Sequence, residues 1–169
     1  MANPFFDRRH ISEYLLYGGL AAVLYSLTVW YYLWKAEYES SWIAYLGSGL
    51  FMLVIMWYNI RLTQRRSDYK SAVKMMFAGH LAAITGVMLS VIISMLLCYS
   101  YIPGFMSGDS QDAFLDNAPA GLNVNNSGTL LMIFLPATIG NLGAGAFISL
   151  VISYVIKPDQ TKDKPAPIV

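Results

Sequence analysis

Four long stretches of this chain contain no Asp, Glu, Lys or Arg, and no other feature restricts its fold as strongly. They run over residues 14–34, 42–60, 75–108 and 117–156, and each can supply the ~20 apolar residues that cross the hydrocarbon core of a bilayer. The chain is 56% hydrophobic and only 12% charged over 169 residues, too little polar surface to enclose a water-soluble globule. The expected fold is therefore all-α: a polytopic four-transmembrane-helix bundle forming a single membrane domain over residues 1–156. Its helices are predicted at about 12–34, 42–63, 69–101 and 129–156, with an outer loop at 102–128 and a disordered cytoplasmic tail at 157–169.

The basic residues orient this bundle. If all four stretches cross, the side holding both termini carries Arg8, Arg9, Arg61, Arg65, Arg66, Lys70, Lys74, Lys157, Lys162 and Lys164, ten of the eleven bases; Lys35 alone faces the other side. Lys and Arg are retained on the cytoplasmic face during insertion, which predicts a multi-pass inner-membrane protein with both termini and the middle loop cytoplasmic. Glu37, Glu39, Asp109, Asp112 and Asp116 make the outer face acidic. The first stretch ends in Trp and Tyr rather than in a small-residue cleavage site, so it reads as a retained anchor and not as a signal peptide. The lone Cys98 rules out an intramolecular disulfide and a thiol-pair relay.

Aromatic residues mark the expected boundaries. Trp30, Tyr31, Tyr32, Trp34, Trp42 and Tyr45 would fix the outer one, and Tyr14, Tyr17, Trp57, Tyr58 and Tyr154 the inner one, at headgroup depth. In the middle loop, Ser67 or Asp68 is a candidate N-cap for a third helix longer than the bilayer is thick. Asp109, Asp112 and Asp116 fall at helical spacing, and a solvated acidic face is preferred over a cation site.

Small residues recur at every fourth position: Gly18, Ala22 and Ser26; Ala82, Gly86, Ser90 and Ser94; Ala137, Gly145, Ser149 and Ser153, with Asn141 in the gap. Association of helices in lipid depends on close packing, so these stripes read as the seams of the bundle, although a seam can also face a second protomer.

Polar groups inside the bilayer are the default candidates for function. No carboxylate or base lies centrally in any span, which argues against a proton- or ion-coupled pump; Glu13, beside Arg8 and Arg9, reads as part of an interfacial ion pair. His80 is the one histidine within a span, near the depth of Asn59, and a hydrogen bond to a neighbouring helix is preferred over proton relay or haem ligation, since His10 lies in the N-terminal lead. Pro136, Gly140, Gly143 and Gly145 predict a kink or short unwound segment in the fourth span. Asn141 beside it would bond across to Ser90 or Ser94, or would serve as a polar substrate site of the kind built at broken helices. Arg61, Arg65, Arg66, Lys70 and Lys74 form a basic loop suited to anionic lipid headgroups or an acidic partner. No catalytic residue, metal or cofactor is expected, and nucleic acid is not an expected partner.

The short basic lead before Tyr17-Gly18-Gly19, the bases from Arg61 to Lys74, the extended third span, the outer loop and the Lys-rich tail together resemble a family of small four-span inner-membrane proteins of Bacteroidetes-type bacteria whose function is unassigned. That resemblance implies a bacterial inner membrane and carries over no site residues. Three functions compete: a non-catalytic accessory or scaffold subunit meeting lipids, further copies or other membrane subunits; a small transporter or channel protomer with its site at the kinked fourth helix; and a lipid-modifying enzyme, for which Glu13, His10 and His80 are the raw material.

Overall fold

Lipid offers no partner to a backbone amide, so each apolar stretch must satisfy its own N–H and C=O groups, and the helix does so locally. The computed structural model describes residues 8–64, 72–102, 104–105, 115–117, 119 and 127–155. It contains α1 (Arg8–Lys35), a 3-10 turn (Tyr38–Ser41), α2 (Trp42–Gln64), α3 (Ala72–Tyr101), and a fourth span built from α4 (Ser127–Leu135), a π-helical turn (Pro136–Gly140) and α5 (Asn141–Val155). Among the described residues, four helices are long and apolar enough to cross a membrane: Arg9–Lys35, Tyr38–Gln64, Ala72–Tyr101 and Gly128–Val155. Their outward faces are apolar, with Leu16, Val23, Met88, Leu96, Ile139 and Phe147 exposed. An exposed apolar surface around the whole bundle suits lipid rather than water, and the chain is a multi-pass helical membrane protein.

One boundary differs from the expectation. α1 starts at Arg8, so His10 sits in the helix rather than in a lead, and Arg9 Nε lies 3.8 Å from Glu13 Oε1 in an i,i+4 ion pair that supports the added turn. α3 is described from Ala72; the N-cap candidates Ser67 and Asp68, and the tail 157–169, lie outside the described residues. The 30 residues of α3 rise about 45 Å, against ~30 Å of hydrocarbon, so this helix tilts or projects beyond the core.

The contacts set the arrangement. α1 packs chiefly on α3 and α2, and α5 on α3 and α2, while α2 and α3 meet more sparsely. Gly18 lies against Gly86 and Trp30 bonds Tyr101, so α1 and α3 run parallel. Gly140 lies against Ser48 and Asn59 bonds Ser149, so α2 and α5 run parallel as well. The start of α1 and the end of α5 thus share one end of the bundle with Arg61, and Lys35 and Trp42 lie at the other.

Every residue of the small-residue stripes faces inward. At Gly18 an added Cβ would stand 2.7 Å from the Ala82 carbonyl and 2.9 Å from the Gly86 nitrogen, so the α1 and α3 backbones are in direct contact. At Gly145 a Cβ would meet that of Ala83 at 2.6 Å, the same device between α5 and α3.

The aromatic residues divide differently from the expectation of two headgroup belts. Tyr14, Tyr17 and Tyr58 are buried. The Tyr17 and Tyr58 ring centroids stand 4.8 Å apart, and Tyr14 meets Tyr58 edge-on at 6.3 Å. These rings tie α1 to α2, because both helices present tyrosine to the same seam; Trp57 and Tyr154 stay outside. At the other end Tyr32 is buried while Trp34, Trp42 and Tyr45 are exposed.

That other end is closed by a backbone clasp. Ala36 takes φ 52°, the left-handed turn that commonly ends a helix. Its carbonyl accepts from Asp116 N–H at 2.8 Å, and Tyr38 N–H donates to the Asp116 carbonyl at 3.1 Å, a parallel bridge between Glu37 and Asp116. Leu115 is buried beside it. Asp116 is therefore in extended pairing, and the helical spacing read for the three aspartates does not hold at its last member; Asp109 and Asp112 lie outside the described residues.

Candidate functional site

The polar residues inside the bundle form two levels rather than one site. At the level nearer Arg61, the Asn59 side chain donates from Nδ2 to the Ile55 carbonyl at 2.8 Å and to Ser149 Oγ at 3.2 Å. Ser149 in turn donates to the Gly145 carbonyl at 2.7 Å. A Cβ at Gly79 would collide with Ser149 Oγ and stand 2.5 Å from Asn59 Oδ1. The absence of that side chain is what lets α2, α3 and α5 close around the amide. His80 follows Gly79 but turns back: its Nδ1 is 2.7 Å from the carbonyl of Met76 on its own helix. This corrects the expected bond to a neighbouring helix. One turn back along α3, the Met76 carbonyl lies within reach of the ring without any approach from outside.

Asn141 lies eight residues before Ser149, about 12 Å further along the span. It is 0% exposed, and neither Oδ1 nor Nδ2 has a hydrogen-bond partner. The expected bonds to Ser90 and Ser94 are absent; both serines are buried, and their hydroxyls too are unpaired. Ser48, against Gly140, is in the same condition. The structure thus separates Asn59, whose Oδ1 is also unpaired, from Asn141, of which both polar atoms are unused. Each buried polar group left unsatisfied costs roughly 1–3 kcal/mol.

Between the levels stands Phe51, a residue the sequence does not single out. Its ring is fully buried; a Cβ on Gly86 would be 2.7 Å from it and one on Gly145 3.5 Å away. The glycines of α3 and α5 thus form a slot for this ring. A phenylalanine within an apolar span carries no mark of its own, and only the pairing of Gly86 with Gly145 hints at a large side chain between them.

The fourth span bends its hydrogen bonding at Pro136, as the sequence suggests, and the form is π-helical: Asn141 N–H donates to the carbonyls of Pro136 and Thr138. Thr138 Oγ1 donates to the Phe134 carbonyl at 2.6 Å. The Tyr25 hydroxyl on α1 donates to the Ile133 carbonyl at 2.8 Å, supplying a bond from outside to the turn that proline disturbs. Gly140 belongs to the π turn, and Gly145 packs inward. Gly143 is exposed with open space around it, so it is no part of a packed kink.

Comparison with protein-family models, curated proteins and solved structures finds no match. The chemistry must therefore be read from the residues. The Asn141 level offers an amide, which both donates and accepts, and several hydroxyls: groups that hydrogen-bond a neutral polar species. Of the basic candidates, Arg61 Nη1 donates to Tyr17 Oη at 2.6 Å, and Lys74 is exposed. Arg65, Arg66 and Lys70 lie outside the described residues. Among the described residues no cluster of three or more His, Cys, Asp or Glu is assembled.

Proposed function

We propose that this is an inner-membrane protein with both termini cytoplasmic, acting as a non-catalytic accessory or scaffold subunit of a membrane complex. The observation that carries the reading is the filled middle of the bundle. Phe51 occupies the slot between Gly86 and Gly145, and Gly18 lies on the α3 backbone. A bundle filled across its centre acts through its surfaces: an apolar girdle, a basic end and an acidic end fixed by the Glu37–Asp116 clasp. Other membrane subunits dock on the girdle, lipids cover what they leave, and the basic end suits anionic headgroups. Affinity purification of the full chain in mild detergent tests this. A stoichiometric membrane-protein partner is expected, and it should persist with Asn141→Leu; a chain that purifies alone, or only with copies of itself, counts against the scaffold reading.

One observation favours a second reading, a small transporter or channel protomer: the unpaired Asn141 amide beside the π turn. Unsatisfied groups and a segment of altered bonding at one depth are the elements of a transport site. Stopped-flow light scattering of proteoliposomes exposed to small neutral polar solutes separates the two. Faster permeation than in empty vesicles, lost in Asn141→Leu with the protein still inserted, would support transport.

A further inference from the structure

A cavity of about 400 Å³ opens at the surface of the bundle between α1 and α2, at the Lys35 end, within the ~300–1,000 Å³ typical of ligand sites. Its lining changes character along its length. Leu24, Leu27, Leu46 and Leu50 form an apolar channel, Tyr31 and Trp42 flank it further out, and Lys35 and Ser40 stand at its polar end. From Leu24 to Lys35 helix α1 rises about 16 Å, close to one leaflet of a ~30 Å hydrocarbon core. The groove thus has the depth of a single lipid tail and places tryptophan and tyrosine near headgroup level.

Lys35 lines the polar end, and Glu37, just outside the lining, is bonded to both polar lining residues. Lys35 Nζ is 3.2 Å from Glu37 Oε2, and the two side chains are 37% and 48% exposed. Ser40 Oγ donates to the same carboxylate oxygen at 3.2 Å. An ion pair this exposed is weak and exchanges readily for a better-matched partner. A headgroup bearing a phosphate and an amine is such a partner, with phosphate taken by Lys35 and amine by Glu37. A purely anionic headgroup would meet Glu37 unfavourably.

We infer that this groove binds one zwitterionic, amine-headed glycerophospholipid, its acyl chain along the leucines and its headgroup between Lys35 and Glu37. The site faces lipid and depends on neither functional reading above.

Native mass spectrometry of the full chain in detergent, titrated with phosphatidylethanolamine, phosphatidylglycerol or diacylglycerol of matched chains, tests the assignment. One phosphatidylethanolamine should be retained at least five-fold more tightly than either other lipid. Leu46→Trp, which fills the groove from an exposed position, should weaken all three about ten-fold. Lys35→Gln and Glu37→Gln should each erase the preference for the zwitterionic head while the helical content stays unchanged. Equal retention of the three lipids by the wild type overturns the inference. So does a preference that survives both charge substitutions, or one that Lys74→Gln at the opposite end abolishes equally.

Discussion

At Gly18 the cost of a single carbon is set by what lies opposite. The neighbours of an added Cβ are backbone atoms of Ala82 and Gly86 at 2.7 and 2.9 Å, and helix backbone cannot swing aside as a side chain can. Gly18→Ala should therefore push α1 from α3 and destabilise the protein by roughly 1–3 kcal/mol, the usual penalty of overpacking. Gly143 is the control: nothing stands within 4 Å of a Cβ there, and alanine is the better helix former by up to about 1 kcal/mol. Gly143→Ala should leave stability unchanged or raised. Chemical unfolding in mixed micelles measures both, and a Gly18→Ala protein as stable as wild type would refute the close approach. The sequence shows the every-fourth-residue stripes, which all turn inward. It cannot separate Gly143 from Gly145 by composition, since two residues of helix rotate a side chain by about 200°. Phe51 and the self-directed bond of His80 are hidden for a related reason: each depends on a partner or rotamer, not on residue type.

The fourth span shows how an element reconciles two periods. Four residues of α-helix turn through about 400°, so an every-fourth stripe drifts about 40° per step. The slower winding of i→i+5 bonding at Pro136–Gly140 takes back part of that drift, and Ala137, Asn141, Gly145, Ser149 and Ser153 all stay buried. The proline makes a disturbed turn legible in the sequence, but whether it unwinds, kinks or becomes π-helical is decided by the packing of the face it must keep inside. The Tyr25 hydroxyl on the Ile133 carbonyl belongs to the same adjustment. Tyr25→Phe should cost about 0.6 kcal/mol, the mean for interhelical hydrogen bonds in membranes, and at most about 1.7 kcal/mol. Pro136→Ala restores an amide whose α-helical acceptor is the Met132 carbonyl, next to the one that Tyr25 serves, so the geometry of the turn and with it the cost of Tyr25→Phe should change in that background. A double-mutant cycle reads this coupling directly, and strict additivity would show the hydroxyl and the proline to be independent.

Across the whole molecule, the alternation of spans was legible from their number, while their neighbours were not. α1 and α3 lie side by side and parallel, and the consecutive helices α2 and α3 meet only sparsely. That choice rests on which stripes can touch, Gly18 on Gly86 above all, and no local pattern encodes it. The same holds for the clasp of Ala36 and Tyr38 with Asp116, where backbone groups far apart in the chain pair irrespective of side chain. The distribution of charge, in contrast, is a property of the ends of the bundle. Arg9, Arg61 and Lys74 sit at the end where α1 and α3 begin and α2 ends, and Lys35 at the other. The proposed orientation follows from retention of bases in the cytoplasm and has a direct check. Cys98 is buried, and Cys98→Ala gives a background without thiols. In that background Glu39→Cys, at the exposed end of the α1–α2 turn, should react with a membrane-impermeant maleimide in intact bacterial cells whose outer membrane is made permeable. Gln64→Cys, exposed at the end of α2, should react only once the inner membrane is opened. The reverse order of labelling would invert the protein in the membrane, and labelling of both sites from outside would mean that α2 does not cross it.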